Sequence, residues 1–208
     1  MPTETFFNLP AEKRDMICQA AIAEFAAHSF EQASINRIVA NAGIAKGSFY
    51  QYFANKEDIF LYLLQLSGQA KLAYLEPILR NSGEYDFFAL LRDLYVSGIQ
   101  FAEKHPEYAE IGKKLMKSKG TPIYAAVMNA SMPTADEFFV LLLENAIRRK
   151  EVRADIDVAM FAHLIAAMNA LVIEYYCEHS ASTHDGTMLA TVERFIDFLK
   201  YGLAAPAA

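Results

Sequence analysis

Along most of the chain, apolar side chains return every three or four residues, the period of a helix that buries one face. Runs that alternate with period two, the mark of half-buried strands, are missing, so the pattern predicts an all-α fold. A first helix is expected from Pro10 to His28, with Ile17, Ala20, Ala21 and Phe25 on its buried face. A short second helix follows Ser34, a good N-cap, and turns Ile35, Ile38 and Val39 inward. It ends near Asn41, ahead of Gly43, where a left-handed residue stops a helix. A third short helix runs from Ile44 to Tyr52, with Phe49 and Phe53 on one face. Asn55, followed three residues later by Asp58, resembles a capping box. It opens a long helix that carries Ile59, Phe60, Leu63, Leu64 and Leu66 towards Leu75, before Pro77. Later helices are expected over Tyr85–Lys104, Glu107–Lys119, Ile123–Lys150, Asp157–Glu178 and Gly186–Leu203. The breaks between them fall at Asn81-Ser82-Gly83, His105-Pro106, Gly120-Thr121-Pro122 and Val152 to Asp155. Pro133 should kink the Ile123–Lys150 helix or split it in two, and the short Ala/Pro tail after Leu203 should fray.

Two short helices joined by a glycine-containing turn form the helix-turn-helix pattern, and Ser34 to Phe53 fits it. Ile35, Ile38, Val39, Ile44, Phe49 and Phe53 would fix the angle between the two helices. The residues left facing outward are Lys46, Gly47, Ser48, Tyr50, Gln51 and Tyr52. Lysine offers charge to phosphate or guanine, glutamine can pair with adenine, and tyrosine hydroxyls reach phosphates. Gly47 lets the backbone approach closely. Tyr52 suits the core as well as a phosphate, and Arg37 is either a DNA contact or a solvated helix residue.

Charge sharpens this picture. The window Gln32 to Lys56 holds Arg37, Lys46 and Lys56 and no acid, so it carries +3 and leaves −9 for the rest of a chain whose net charge is −6. Phosphate attraction acts over a Debye length, about 8–10 Å, so the local excess counts more than the total. Hydrophobic residues make up 54% of the 208 positions, enough for a sizeable core.

The stretch from Ser34 to Ile59 resembles the signature of the tetracycline-repressor (TetR/AcrR) family of transcriptional regulators. The features come in order: a small hydroxyl residue (Ser34), Ile38-Val39, Ala42-Gly43-Ile44, Lys46-Gly47-Ser48-Phe49-Tyr50, Tyr52-Phe53 and Lys56-Glu57. The resemblance implies an N-terminal three-helix helix-turn-helix DNA-binding domain (residues 1–55). A long fourth helix would join it to a C-terminal helical-bundle ligand-binding and dimerisation domain (residues 56–204). It also implies that Ser34 touches a phosphate and that Lys46, Gly47, Ser48 and Gln51 face the major groove. Tyr50, Tyr52 and Lys56 would hold phosphates. Ala45, at the start of the reading helix, belongs to the DNA-facing set but stands where the family often has serine, and Ser29 stands where glycine is common. Beyond Leu64 the resemblance is one of layout, with echoes at Glu103-Lys104-His105-Pro106-Glu107 and Glu151-Val152-Arg153-Ala154-Asp155.

In such a family the middle helices enclose a ligand and the last two helices pair with a second subunit. Wide apolar faces on both are compatible with that, and Phe161, Leu164, Met168, Val192, Phe195 and Leu199 are the candidate dimer residues. An entirely internal core fits the same pattern. Polar or aromatic groups on apolar faces are the ligand candidates: Gln65, Tyr95, Tyr124, His163, Asn169 and Tyr175. Each of these also suits a satisfied core position. The expected partners are a double-stranded, roughly palindromic DNA operator, a hydrophobic or aromatic small-molecule effector and a second copy of the chain, because two readers about 34–36 Å apart meet successive major grooves.

No serine-hydrolase elbow, zinc-protease motif, phosphate loop or cysteine pair is present, so neither catalytic residues nor a metal or cofactor is expected. His179 and His184 lie five apart across an expected loop, a poor spacing for a shared metal, and Cys18 and Cys177 read as separate thiols. A regulator-like fold that acts without DNA, and a helical-bundle enzyme, are the rival readings. Met1 to Pro10 lacks a basic region followed by a long apolar run, and Phe161 to Val172 is short and contains His163 and Asn169. A cytoplasmic protein without a membrane span is therefore expected.

Overall fold

The computed structural model describes residues 1–80, 86–179 and 187–203, and its regular elements are all α-helices. In chain order they are α1 (Glu4–Phe7), α2 (Ala11–Ala27), α3 (Ile35–Asn41), α4 (Lys46–Tyr52), α5 (Lys56–Arg80), α6 (Phe87–Lys104), α7 (Pro106–Lys117), α8 (Pro122–Arg148), α9 (Val158–His179) and α10 (Thr187–Leu203). The break expected at Asn81-Ser82-Gly83, His184, Gly186 and the tail after Leu203 lie outside the described residues, as do the side chains of Cys177, His179 and Leu203.

Two features, α1 and Pro77, depart from the sequence pattern, and of the two alternatives for Pro133 the split does not occur. The short helix α1 was not foreseen, because one turn is too brief to show a period. Pro77 lies inside α5 and Pro133 inside α8, and neither ends its helix. An interior proline costs about 3 kcal/mol or more. In α8 the buried stripe Phe139, Leu143 and Ala146 outweighs that cost. Close to the proline, the Ser131 hydroxyl donates to the Val127 carbonyl at 2.9 Å, one turn back.

The chain folds as two compact units, Met1–Leu72 with Lys104–Ala125, and Ala73–Glu103 with Ala126–Ala208. These units are composed differently from a division at residue 55, since the first takes in the start of α5 and all of α7. Its core holds Phe6, Ile17, Phe25, Ile38, Phe49, Phe53, Ile59 and Leu63. Phe25 and Phe60 meet edge to face with ring centroids 4.9 Å apart. The second unit is built on Phe87, Leu91, Leu143, Ala162, Ile165, Val192, Ile196 and Leu199. Glu151 accepts the Phe87 N–H at 2.8 Å and so caps the start of α6. In the same segment, the bidentate guanidinium of Arg153 holds the Asp155 carboxyl down at about 2.

The segment Val158–Tyr175 of α9 has a mean hydropathy of 1.6 and is long and apolar enough to cross a membrane. The shorter stretch Phe161 to Val172 within it contains His163 and Asn169. In this fold Ala162, Ile165 and Ala166 of the same helix are buried in the core of the second unit.

Candidate nucleic-acid interface

The reader is assembled from α2, α3 and α4. Gly43, at φ +62°, closes α3 in the left-handed conformation expected of it. Its neighbour Ile44 donates its N–H back to the Val39 carbonyl at 3.0 Å. The turn runs on to Ala45, whose extended backbone precedes α4 with no side-chain cap. Ala45 thus does no capping, and α4 begins at Lys46 rather than at Ile44. Ser34 likewise makes no side-chain cap to α3.

What holds α3 in place is a residue that the sequence reading missed. Glu24 of α2 is 4% exposed, and its carboxylate accepts four hydrogen bonds. Its carboxylate accepts the Ser34 N–H at 2.7 Å and the Arg37 guanidinium at 3.0 Å (Nε) and 2.6 Å (Nη2). Burial opposes ionisation of Glu24, but the hydrogen bonds from Arg37 and Ser34 outweigh it and hold the carboxyl below its ordinary value. Arg37 also donates to the Gln32 carbonyl at 2.8 Å. Arg37 is therefore an anchor between α2 and α3, and its charge is largely answered from within the protein. A buried acid on the apolar face of α2 could have flagged this, since such a group needs a partner.

Lys56 behaves in a similar way. Its ammonium donates to the carbonyls of Glu31 at 3.2 Å and Ala33 at 2.9 Å, and lies 4.7 Å from the centre of the Phe30 ring. Asn55 caps α5 as its type suggests, accepting the Asp58 N–H at 2.9 Å. Asp58 reaches back to the Ala54 N–H at 3.1 Å, one residue short of a capping box. Lys114 of α7 donates to the Ala26 carbonyl at 2.6 Å and covers the C-terminal end of α2.

The surface of α4 divides cleanly. Phe49 and Tyr52 face inward, with Tyr52 only 5% exposed, so of its two possible roles Tyr52 takes the core one. Lys46, Gly47, Tyr50 and Gln51 are exposed and Ser48 is half-buried. Among the described residues, Lys46 makes no hydrogen bond or ion pair. A Cβ on Gly47 would meet nothing within 4 Å, so no neighbour inside the protein requires glycine there. An open groove of about 570 Å³ lies elsewhere on this unit, between α2 and Asn41 of α3. Glu12 and Asp15 line it, which makes it hostile to phosphate.

The ligand candidates are divided between the two units. Gln65 is exposed and Tyr124 half-buried in the first unit, whereas Tyr95, His163, Asn169 and Tyr175 belong to the second. Tyr95 is the distinctive one. Its hydroxyl is buried without a hydrogen-bond partner among the described residues, and burial pushes its pKa far up. His163 is exposed and its Nδ1 lies 3.0 Å from the Asp136 carboxylate, while Tyr175 and most of its ring face outward.

The dimer candidates divide by burial. Val192 and Leu199 are buried in the core of their own unit, and Phe161, Met168 and Phe195 pack partly against that core. Of the six, Leu164 alone is exposed. The apolar residues that α9 and α10 turn outward are Met160, Leu164, Leu171 and Tyr175, and Phe198 and Tyr201. Periodicity reveals an apolar face but not which of two such faces turns inward.

Residues 17–63 match the family model described as "Bacterial regulatory proteins, tetR family". That span covers α3, the turn, α4 and the start of α5. The chain is 30% identical over 103 residues to the "Probable acrEF/envCD operon repressor" of Escherichia coli strain K12, a match covering 49% of this chain and 46% of that protein's length. The fold is similar to that of the regulator FadR from Bacillus subtilis solved in complex with stearoyl-CoA, with a TM-score of 0.72 at 18% identity over 90% of this chain and 98% of that one. It is also similar to a TetR family transcriptional regulator from Chloroflexus aurantiacus, with a TM-score of 0.66 and 35% identity. This last likeness covers 98% of the present chain and 99% of the other, so with its reader matched and its whole length accounted for, the chain belongs to the TetR family of transcriptional regulators.

Proposed function

We propose that the protein is a transcriptional repressor that binds a roughly palindromic operator as a homodimer and leaves it when a hydrophobic or aromatic effector binds. The observation that carries this reading is the division of α4. Its apolar side chains lock it into the reader, and the groups left outside, Lys46, Gly47, Tyr50 and Gln51, are those that read or approach DNA. Ser48 joins them at the groove, and Ser34 and Ala45 border the phosphates. Residues 1–55 would act as the DNA-binding domain and residues 56–204 as the regulatory body.

Dimerisation would use the outward apolar residues of α9 and α10. The effector would enter the body beside Tyr95, whose buried hydroxyl has an unanswered hydrogen bond to give. The FadR neighbour, solved with stearoyl-CoA, makes an acyl chain one reasonable member of the hydrophobic class. Because binding is reciprocal, an effector that weakens DNA binding is itself held more weakly on DNA, by the same factor. Such a protein works in the cytoplasm and catalyses no reaction.

The test is to incubate the purified protein with fragmented DNA from its own source and to recover bound fragments at two salt concentrations. Recovery of a few fragments sharing an inverted repeat at both salts is the expected result. Equal recovery of every fragment, confined to low salt, would refute the specific reader.

A further inference from the structure

The residues ahead of α2 reach the far end of the reading helix. The backbone N–H of Thr3 donates to the Tyr52 carbonyl at 2.9 Å, and its hydroxyl donates to the Gln51 carbonyl at 2.6 Å. The last carbonyls of a helix have no partner within it, and a helix as short as α4 does not hold itself together in water. Thr3 therefore caps, from outside, two of the groups that α4 leaves open. Phe6 seats this cap. It is fully buried, with ring centroids 4.8 Å from Phe53, 5.5 Å from Tyr62 and 6.2 Å from Tyr52. Tyr62 lies on α5, so the segment ties α4 to α5. Arg14 of α2 fastens its other end by donating to the Phe7 carbonyl at 2.6 Å.

We propose that residues 1–9 form a strap that fixes the pitch of the reading helix, with Thr3 as a positioning residue for Gln51. The same residue, Gln51, is held from behind by its carbonyl and offers an exposed side-chain amide in front. Loosening the carbonyl lets that amide wander across neighbouring base edges. Base readout then suffers, while the general attraction to phosphate does not. This inference rests on the DNA-binding reading above.

The test uses the full chain and its Thr3→Val and Thr3→Ser variants. Valine keeps the shape and the backbone N–H of Thr3 and removes only the hydroxyl. The probes are a duplex of about 30 bp carrying the inverted repeat selected by the wild-type protein, long enough for two half-sites, and a scrambled duplex of equal length. Kd is read by fluorescence anisotropy across a salt series, and Tm is recorded for each variant. Thr3→Val is expected to bind the repeat about 3- to 10-fold more weakly, the equivalent of one hydrogen bond. The scrambled duplex and the slope of log K against log salt should not change, and Thr3→Ser should restore binding. Equal losses on both duplexes, or a loss that follows Tm and is not rescued by serine, would overturn the strap. A smaller salt slope would also overturn it, because the variant would then have lost a charged contact with phosphate and not only the aim of Gln51. If the wild type selects no repeat, the DNA-binding reading falls and takes the strap with it. If the wild type selects one that Thr3→Val binds equally well, the strap falls alone.

Discussion

Gly47 separates what the fold needs from what DNA needs. It is the second residue of α4, it is exposed, and a Cβ built there has no heavy atom within 4 Å. Its backbone angles are not among the positive values that resist a side chain. Gly47→Ala should therefore leave the fold intact and stabilise it, by up to about 1 kcal/mol, the helix-propensity difference, and by less in a first turn. DNA binding should move the other way. A methyl group on the face that approaches the groove holds α4 off the base edges. The loss of one good base contact is worth about 1–3 kcal/mol, or roughly 5- to 150-fold in Kd. Calorimetric unfolding reads the first effect and anisotropy with a selected operator reads the second. An alanine variant that is more stable and binds DNA as tightly as the wild type would refute a close approach at Gly47. A variant destabilised by more than about 1 kcal/mol would refute the open space beside it.

Three further outcomes follow from the same unit. Phe6→Ala opens a void among Tyr52, Phe53 and Tyr62 and should cost about 3–5 kcal/mol in urea unfolding, the range for a buried phenylalanine; a cost below 1 kcal/mol would mean that the strap is not packed. Lys46→Ala should weaken binding to all duplexes alike and lower the salt slope by about one, and an unchanged slope would remove Lys46 from the phosphates. Glu24 has a carboxyl pKa held below its ordinary 4.5, so it stabilises the fold fully above that pH and less as the pH falls through the lowered value. Acid unfolding of the wild type below about pH 4.5 should therefore be steeper than that of Glu24→Gln, and parallel curves would contradict the carboxylate's role.

Much of the reader was legible because its signals are local. Gly43 needs only its own backbone, Asn55 caps a helix that starts beside it, and Phe49 and Phe53 stand four apart on the side that turns inward. What was hidden depends on groups far apart in sequence. The acid-free window seemed to give the reader three free cations, but Glu24 lies outside the window and folds back on Arg37. The carbonyls that hold Lys56 come from residues 31 and 33. Val192 and Leu199 carry the same periodic mark as Phe198 and Tyr201 nearby, and only the packing of α10 decides which set is covered. Pro77 and Pro133 are local signals of a break, yet each lies inside an unbroken helix.

The way these cations are used bears on how the protein must bind. Arg37 is held by Glu24, Lys56 by two carbonyls and a ring, and Lys114 by the end of α2. Within the window, Arg37 is paired with a carboxylate and Lys56 is held by neutral groups, whereas Lys46 makes no hydrogen bond or ion pair among the described residues. Each phosphate neutralised contributes about 0.9 to the salt slope of duplex binding, so one subunit gains little from counterion release. A single rigid reader of this kind docks accurately but weakly. On the proposed function, strength would come from two readers held at the spacing of the groove, where the second binds at the effective concentration set by the first. On that reading, a small movement would be sufficient for release. A change of spacing that leaves both readers folded still removes the gain from pairing them, and what remains is the weak attraction of one α4.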